Sequence, residues 1–247
     1  MYPDFLERTA LLFGPEAVER LAHRRVAVFG LGGVGGYVVE ALARSGVGAL
    51  DLIDSDTVSL SNRNRQLLAT EATLGRSKAA AAAERVHSIN PDCRLRCHEL
   101  FYLPETRDQF DFHDYDYVVD AIDTVTGKLT LIEAAREAGT PIISSMGTGN
   151  KTEASLLEVA DLYETSVCPL ARIMRRECRR RGIEQLKVVY SREKPLRPLE
   201  KIRTPEEKGR RDIPGSTAFV PGAAGLILAG EVVKDLIAFD RSGREEE

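Results

Sequence analysis

The sequence predicts one α/β domain: a doubly wound, mostly parallel Rossmann-like sheet with N-terminal helices and a basic helical and loop extension. Three observations carry that expectation. Short apolar runs alternate with helical stretches through most of the chain. One of them, "RVAVFG", leads into Gly30-x-Gly32-x-x-Gly35 and a following helix, the order of a nucleotide-binding βαβ unit. The 247 residues are 43% hydrophobic and 29% charged, enough apolar material for a single large core.

Each element has a local cause. "FLERTALLFGPEAVERLAHRR" reads as two short helices broken at Gly14-Pro15. After the glycine turn, a helix runs through Leu42 and "GALDLIDSD" forms a second strand ending in acids. Ser77 caps the helix "KAAAAAERVHSI", whose alanines have the highest helix propensity, and Asn90-Pro91 stops it. "CRLRCHEL" and "YDYVVDAID" read as strands, "GKLTLIEAAREAG" as a helix closed by Gly139, and "TPIISSMG" as the next strand. Further on, "ASLLEVADL" and "KVVYSRE" are strands flanking the helix "CPLARIMRRECRRRG". Lys194 to Pro214 has the composition of a mobile loop. The expected organisation is helices over 1–24, a nucleotide-binding core over 25–160, a basic helix and loop over 161–215, and a strand and helix over 216–247.

A formal charge of −4 argues against a uniformly polybasic nucleic-acid binder. The apolar stretch Ala218 to Phe239 carries Glu231, Lys234 and Asp235, so it reads as a core-facing helix and no membrane span is expected. None of the four cysteines forms a Cys-x-x-Cys pair, which in a chain without a leader points to reduced thiols and a cytoplasmic protein.

The glycine turn suits a dinucleotide or ATP, because both place phosphates on backbone N–H groups at a helix N-terminus. Asp54, 24 positions after Gly30, would accept hydrogen bonds from ribose hydroxyls. Downstream residues favour ATP. Asp56, Asn62, Arg65 and Gln66 follow the second strand, Lys78 opens the alanine helix, and Asp123 follows the strand "YDYVVDAID". An open parallel sheet brings all of these to the carboxyl ends of its strands. Cleavage of ATP between its α and β phosphates needs clustered cations to meet developing charge, and an acid to hold Mg²⁺. Hydride transfer needs neither.

"GLGGVGG", "DSDTVSLSNRNRQ", "GRSKAAAAAERVHSINP" and "VVDAIDTVTGK" resemble the adenylyltransferases related to ubiquitin-activating enzymes, the ThiF/MoeB/HesA superfamily. Arg8-Thr9, "SSMGTGNK", "ADLYETSVCPLARIMRRECRRRGI" and "FVPGAAGLILAGEVVKDLI" extend the likeness to the tRNA threonylcarbamoyladenosine dehydratases over nearly the whole chain. The resemblance implies that Gly30, Gly32, Gly33 and Gly35 hold ATP phosphates, Asp54 the ribose, and Asn62, Arg65 and Lys78 the phosphates. It implies that Asp123 organises Mg²⁺ and that Arg8 reaches a homodimer partner's ATP. The implied reaction adenylates the threonyl carboxylate of the modified tRNA nucleoside and closes a ring, with a sulfur-transfer protein as a conceivable further partner. Two positions depart from the family pattern: Gly36 stands where serine is common, and Arg63 where an apolar residue is frequent.

From Arg172 to Arg211 there are fifteen Lys and Arg against six Glu and no Asp. Arg172, Arg175, Arg176, Arg179 and Arg180 share one predicted helix, so RNA phosphate contact is assigned there. The alternatives for that helix are a solvated face. Structural zinc is not expected, since relatives that carry it use two Cys-x-x-Cys pairs. Cys93, Cys97 and His98 read as residues of a core strand, and Cys168 as a packed thiol near a helix start rather than a nucleophile. Two rival functions stand beside the dehydratase: activation of the C-terminal Gly-Gly of a ubiquitin-like sulfur carrier, and a non-catalytic nucleotide switch.

Overall fold

Strands buried on both faces by helices read as continuous apolar runs, and the central strands of the sheet follow that rule. The computed structural model describes residues 2–200 and 214–240. Its elements are α1 (Glu7–Phe13), α2 (Pro15–Ala22), β1 (Arg25–Phe29), α3 (Gly35–Arg44), β2 (Ala49–Ile53), α4 (Lys78–His87) and β3 (Arg94–His98). They continue with β4 (Tyr117–Asp120), α5 (Val125–Ala138), β5 (Ile142–Ser145), β6 (Leu157–Asp161), α6 (Pro169–Arg180), β7 (Lys187–Ser191) and α7 (Phe219–Leu236). Seven strands form one sheet in the order β3-β2-β1-β4-β5-β7-β6. Every pairing is parallel except β6 with β7.

The strand order reverses between β1 and β4, which opens a crevice at their carboxyl ends. One core packs α2, α3, α4 and α7 against the sheet, and a second gathers α5 and α6 around Met146, Cys168, Met174 and Cys178. Phe29, Tyr102, Phe110, Phe112 and Tyr115 fill a third, aromatic cluster beneath the crevice. At the β4–β5 rim, Lys128 and Asp120 are both fully buried and pair at 3.0 Å, while Lys128 also donates to the Ser145 carbonyl at 2.7 Å.

The basic segment is built into the sheet, since it supplies β7 between β5 and β6. Two local expectations are corrected. No strand precedes α7 among the described residues of the C-terminal segment: residues 214–216 spend their backbone groups on Asn150 and Asn64, and Pro214 has no N–H for a ladder. Cys97 is exposed rather than core, because β3 is the sheet's edge strand. Of the stretch Lys194 to Pro214, expected to be mobile, residues 201–213 lie outside the described residues. Cys168 is buried at the N-cap of α6, as expected. The charges of α7 are paired: Lys187 bridges Glu231 at 2.7 Å and Asp235 at 3.0 Å. No helix among the described residues is long and apolar enough to cross a membrane.

Candidate nucleotide site

The turn after β1 is shaped by two glycines. Gly30 adopts φ +88°, a region L-residues avoid, and a Cβ on it would lie 2.7 Å from the Ala121 carbonyl oxygen. At Gly35 an added Cβ would lie 1.7 Å from the Gly30 carbonyl oxygen, so only glycine lets α3 start this close to β1. Gly36 is different. A Cβ there meets Leu67 and Leu68 at an ordinary 3.7 Å, so serine would fit and its absence costs only a hydroxyl.

The turn leaves donors facing the crevice. The N–H groups of Gly32, Gly33, Val34 and Gly35 make no hydrogen bond among the described residues. Four such groups at a helix N-terminus attract an anion through their partial charge. Asp54 braces the turn from β2: its Oδ2 accepts the Leu31 N–H at 2.7 Å and its Oδ1 the Asp56 N–H at 2.8 Å. Burial raises the Asp54 carboxyl above its ordinary range, against the pull of nearby Lys78.

The segment after β2 folds back onto the glycines. The Arg65 stem lies 3.5 Å, and the Gln66 amide nitrogen 3.8 Å, from where side chains would grow on Gly33 and Gly32. Asn62 makes this turn, its carbonyl accepting the N–H groups of Arg65 and Gln66 and its side chain capping Ser59. The Arg65 guanidinium donates to the Ser61 carbonyl and Asn64 Oδ1, both neutral, so its charge is uncompensated among the described residues. Gln66 is buried, with Oε1 unpartnered. Lys78 is 4% exposed; its ammonium bonds Asp56 at 2.7 Å and lies 3.9 Å from Asp54. Opposite, the Ala121–Ile122 turn abuts Gly30, and Asp123 follows it, exposed and without a side-chain partner among the described residues.

The predicted residues therefore converge, with one exception. Arg8 is exposed on α1, whose anchor Leu6 packs at Gly46, beyond the far end of α3. Ten helical residues span about 15 Å, so Arg8 does not approach its own chain's glycine turn. Arg63, unexplained by its sequence context, forms a surface ion pair with Glu71 at 2.6 Å.

The α6 arginines separate into different roles. Arg175 donates to the Thr165 carbonyl at 2.8 Å and to its hydroxyl, and so braces the approach to the helix. Glu177 bonds Arg176 at 3.0 Å and lies 3.7 Å from Arg180. Arg179 stacks on Tyr163 at 5.1 Å. Only the Arg172 guanidinium lacks a partner among these five and the described residues around them. Together with Val167, Cys168 and Ile173 they line an open groove.

Four unpaired amides and two cations fit a triphosphate, and the free Asp123 carboxylate is a hard oxygen donor suited to Mg²⁺. Asn64, Asn150 and Lys128 were not singled out by sequence reasoning. Lys128 has a local signal, an Asp closing a strand with a Lys on the next helix; the two asparagines have none.

A family model described as the ThiF family matches residues 6–246. A tRNA threonylcarbamoyladenosine dehydratase of Bacillus subtilis is 41% identical over 237 residues, covering 93% of each chain. A solved structure of tRNA threonylcarbamoyladenosine dehydratase from Escherichia coli in complex with AMP superposes with a TM-score of 0.84 at 32% identity, covering 96% of this chain and 95% of that one. The same E. coli enzyme in complex with ATP gives 0.83 at 31% identity, over 97% and 95% of the two chains.

Proposed function

The chain belongs to the ThiF family, and we propose that it is an ATP-dependent tRNA threonylcarbamoyladenosine dehydratase. The observation that carries this reading is the open row of amides from Gly32 to Gly35 with Arg65 and Lys78 beside it. The B. subtilis relative of this name matches over 93% of each chain, and the E. coli relative has been solved in complex with ATP and with AMP.

In this mechanism the amides and Arg65 bind the phosphates of ATP. A threonyl carboxylate oxygen attacks the α-phosphorus, the bond to the bridging oxygen breaks, and pyrophosphate leaves. Arg65 and Lys78 meet the charge that develops on the transferred group and the leaving group. Lys78 comes to the phosphates from Asp56, which is largely exposed and exchanges its partner for water. Asp54 and Asp56 orient the ribose, while Asn62 and Gln66 shape the phosphate rim. Asp123 would hold Mg²⁺, which supplies charge neutralisation on the phosphates when bound. A neighbouring atom of the same modification then attacks the acyl carbon, the acyl carbon–oxygen bond to the phosphate breaks, AMP leaves with that oxygen, and one proton is released. The net loss is one water. Because the attack is intramolecular, positioning replaces an enzyme nucleophile.

The tRNA lies along α6, with Arg172, Arg176, Arg179 and Arg180 on phosphates and Arg175 as a brace. The protein acts in the cytoplasm as a homodimer in which Arg8 serves the partner's site. Mixing Arg8→Ala with Asp123→Ala protomers then restores activity through hybrid sites; no recovery rejects the shared site.

The test of the function is mass spectrometry of tRNA nucleosides incubated with the protein and ATP. The modified nucleoside is expected to become lighter by one water, with pyrophosphate released. Pyrophosphate exchange stimulated by a Gly-Gly-ending carrier protein and indifferent to tRNA would favour the sulfur-carrier reading instead.

A further inference from the structure

A chain of hydrogen bonds runs from Arg65 into a part of the fold that the reaction above does not use. Arg65 donates to Asn64 Oδ1 at 2.9 Å, and Asn64 turns its Nδ2 to the Ser216 carbonyl at 3.0 Å. One amide face meets a donor and the other an acceptor, so the partners fix its orientation. Next to Ser216, the Gly215 N–H donates to Asn150 Oδ1 at 2.6 Å and the Gly215 carbonyl accepts the Asn150 N–H at 2.7 Å. The Asn150 carbonyl also accepts the Leu196 N–H at 2.8 Å. Asn150 itself adopts φ +59°, which asparagine tolerates better than most side-chain-bearing residues. At the other end, Pro221 lies 3.3 Å from the position of a Cβ on Gly33. The strap from Pro214 to Pro221 thus touches Asn150, Asn64 and the glycine turn in succession.

We propose that Asn64 is a positioning residue for Arg65, and that Asn150 anchors the strap that holds Asn64. The inference rests on the phosphate role given to Arg65. Its physical basis is the choice of a neutral acceptor. A guanidinium on a long side chain samples many rotamers, and fixing one in advance lowers the cost of meeting the transition state. A carboxylate at Asn64 would hold Arg65 at least as firmly but would cancel the charge the phosphates need. The amide holds the group and leaves its charge free. Asn64 is exposed; it accepts from its chain neighbour Arg65 on one side and reaches Ser216, 152 positions away, on the other.

The experiment measures tRNA-stimulated pyrophosphate release across an ATP titration, with thermal unfolding of each variant. Asn64→Asp, nearly isosteric and on the surface, is expected to lower kcat about tenfold at an unchanged unfolding midpoint, with KM for ATP moving less than about twofold. Asn150→Gly keeps the left-handed backbone but loses the acceptor and is expected to lower kcat about threefold, whereas Asn150→Asp keeps the acceptor and restores it. Wild-type kcat in Asn64→Asp and Asn64→Ala, with Arg65→Ala impaired, overturns the positioning role and leaves the Arg65 assignment standing. Wild-type turnover in Arg65→Ala removes that assignment and this inference with it. Equal losses in both Asn150 variants, in step with the unfolding midpoint, reduce Asn150 to a structural residue and overturn its part.

Discussion

Around the glycine turn, Arg65 is held by a carbonyl and an amide and keeps its charge; along α6, one carboxylate, Glu177, faces Arg176, Arg180 and Arg181. Arg181 is held further by Glu133 at 3.1 Å, and Arg175 is committed to Thr165. The two regions look alike as cationic clusters in the sequence, yet they differ in how much charge they offer a ligand. A count of arginines measures composition; what a polyanion meets is the charge left after the fold has taken its share. The nucleotide site combines unpaired amides and an uncompensated Arg65 with one paired cation, Lys78, whereas the α6 surface is partly neutralised and presents Arg172 as its free cation among the arginines assigned to RNA.

The largest expected effect breaks or upholds the first half of that contrast. Arg65→Ala and Lys78→Ala should each lower the rate of adenylation about 100-fold, with nucleotide affinity changed far less, as read by pyrophosphate release and by ATP binding. Unchanged rates in both would place the two regions on the same footing. On α6 the contrast lies between neighbours. Arg172→Ala should weaken tRNA binding and lower the salt slope by about one ion, because it removes a phosphate contact. Arg175→Ala should keep the slope and cost about 1 kcal/mol of folding stability through its lost hydrogen bonds to Thr165. If the two variants behave alike, the division of roles along the helix fails.

The smallest effect sharpens the picture through charge. Glu177→Gln releases Arg176 and Arg180 and should raise tRNA affinity about threefold at low salt. Hydrogen bonds from Arg181 and then Arg176 hold the Glu177 carboxyl below its ordinary value of 4.5. A depressed carboxylate stays ionised above that value and loses its pairing only as the pH falls beneath it. The gain from Glu177→Gln should therefore be constant from about pH 5 to 8. A gain that disappears towards pH 5 would mean Glu177 is already protonated there and the pairing is weak.

The nucleotide site was legible in the sequence because its logic is local. Gly30 and Gly35 meet across one tight turn, Asp54 ends the adjacent strand, and Lys78 follows the capping Ser77, so spacing alone places them. Parallel order then brings Ala121 and Asp123 to the same rim. Other features depend on contacts that no period encodes. Asn64 meets Ser216 across 152 positions and Asn150 meets Gly215 across 65, and nothing near either asparagine signals the partner. Arg175 binds a threonine in an irregular loop ten residues earlier, so the helix pattern showed its polar face but not its commitment. Exposure of Cys97 follows from β3 being the outermost strand, which alternation within the strand does not reveal. The strand expected before α7 failed for the same reason, since its backbone groups were claimed by distant asparagines.

The central claim is that cations from separate loops meet a triphosphate over the amides of α3. A crystal structure with a non-hydrolysable ATP analogue tests it most directly. The account predicts phosphate oxygens within about 3 Å of the N–H groups of Gly32 to Gly35, with Arg65 and Lys78 bonded to the same phosphates. Phosphates bound elsewhere, or Arg65 and Lys78 turned to solvent with the analogue in place, would contradict it.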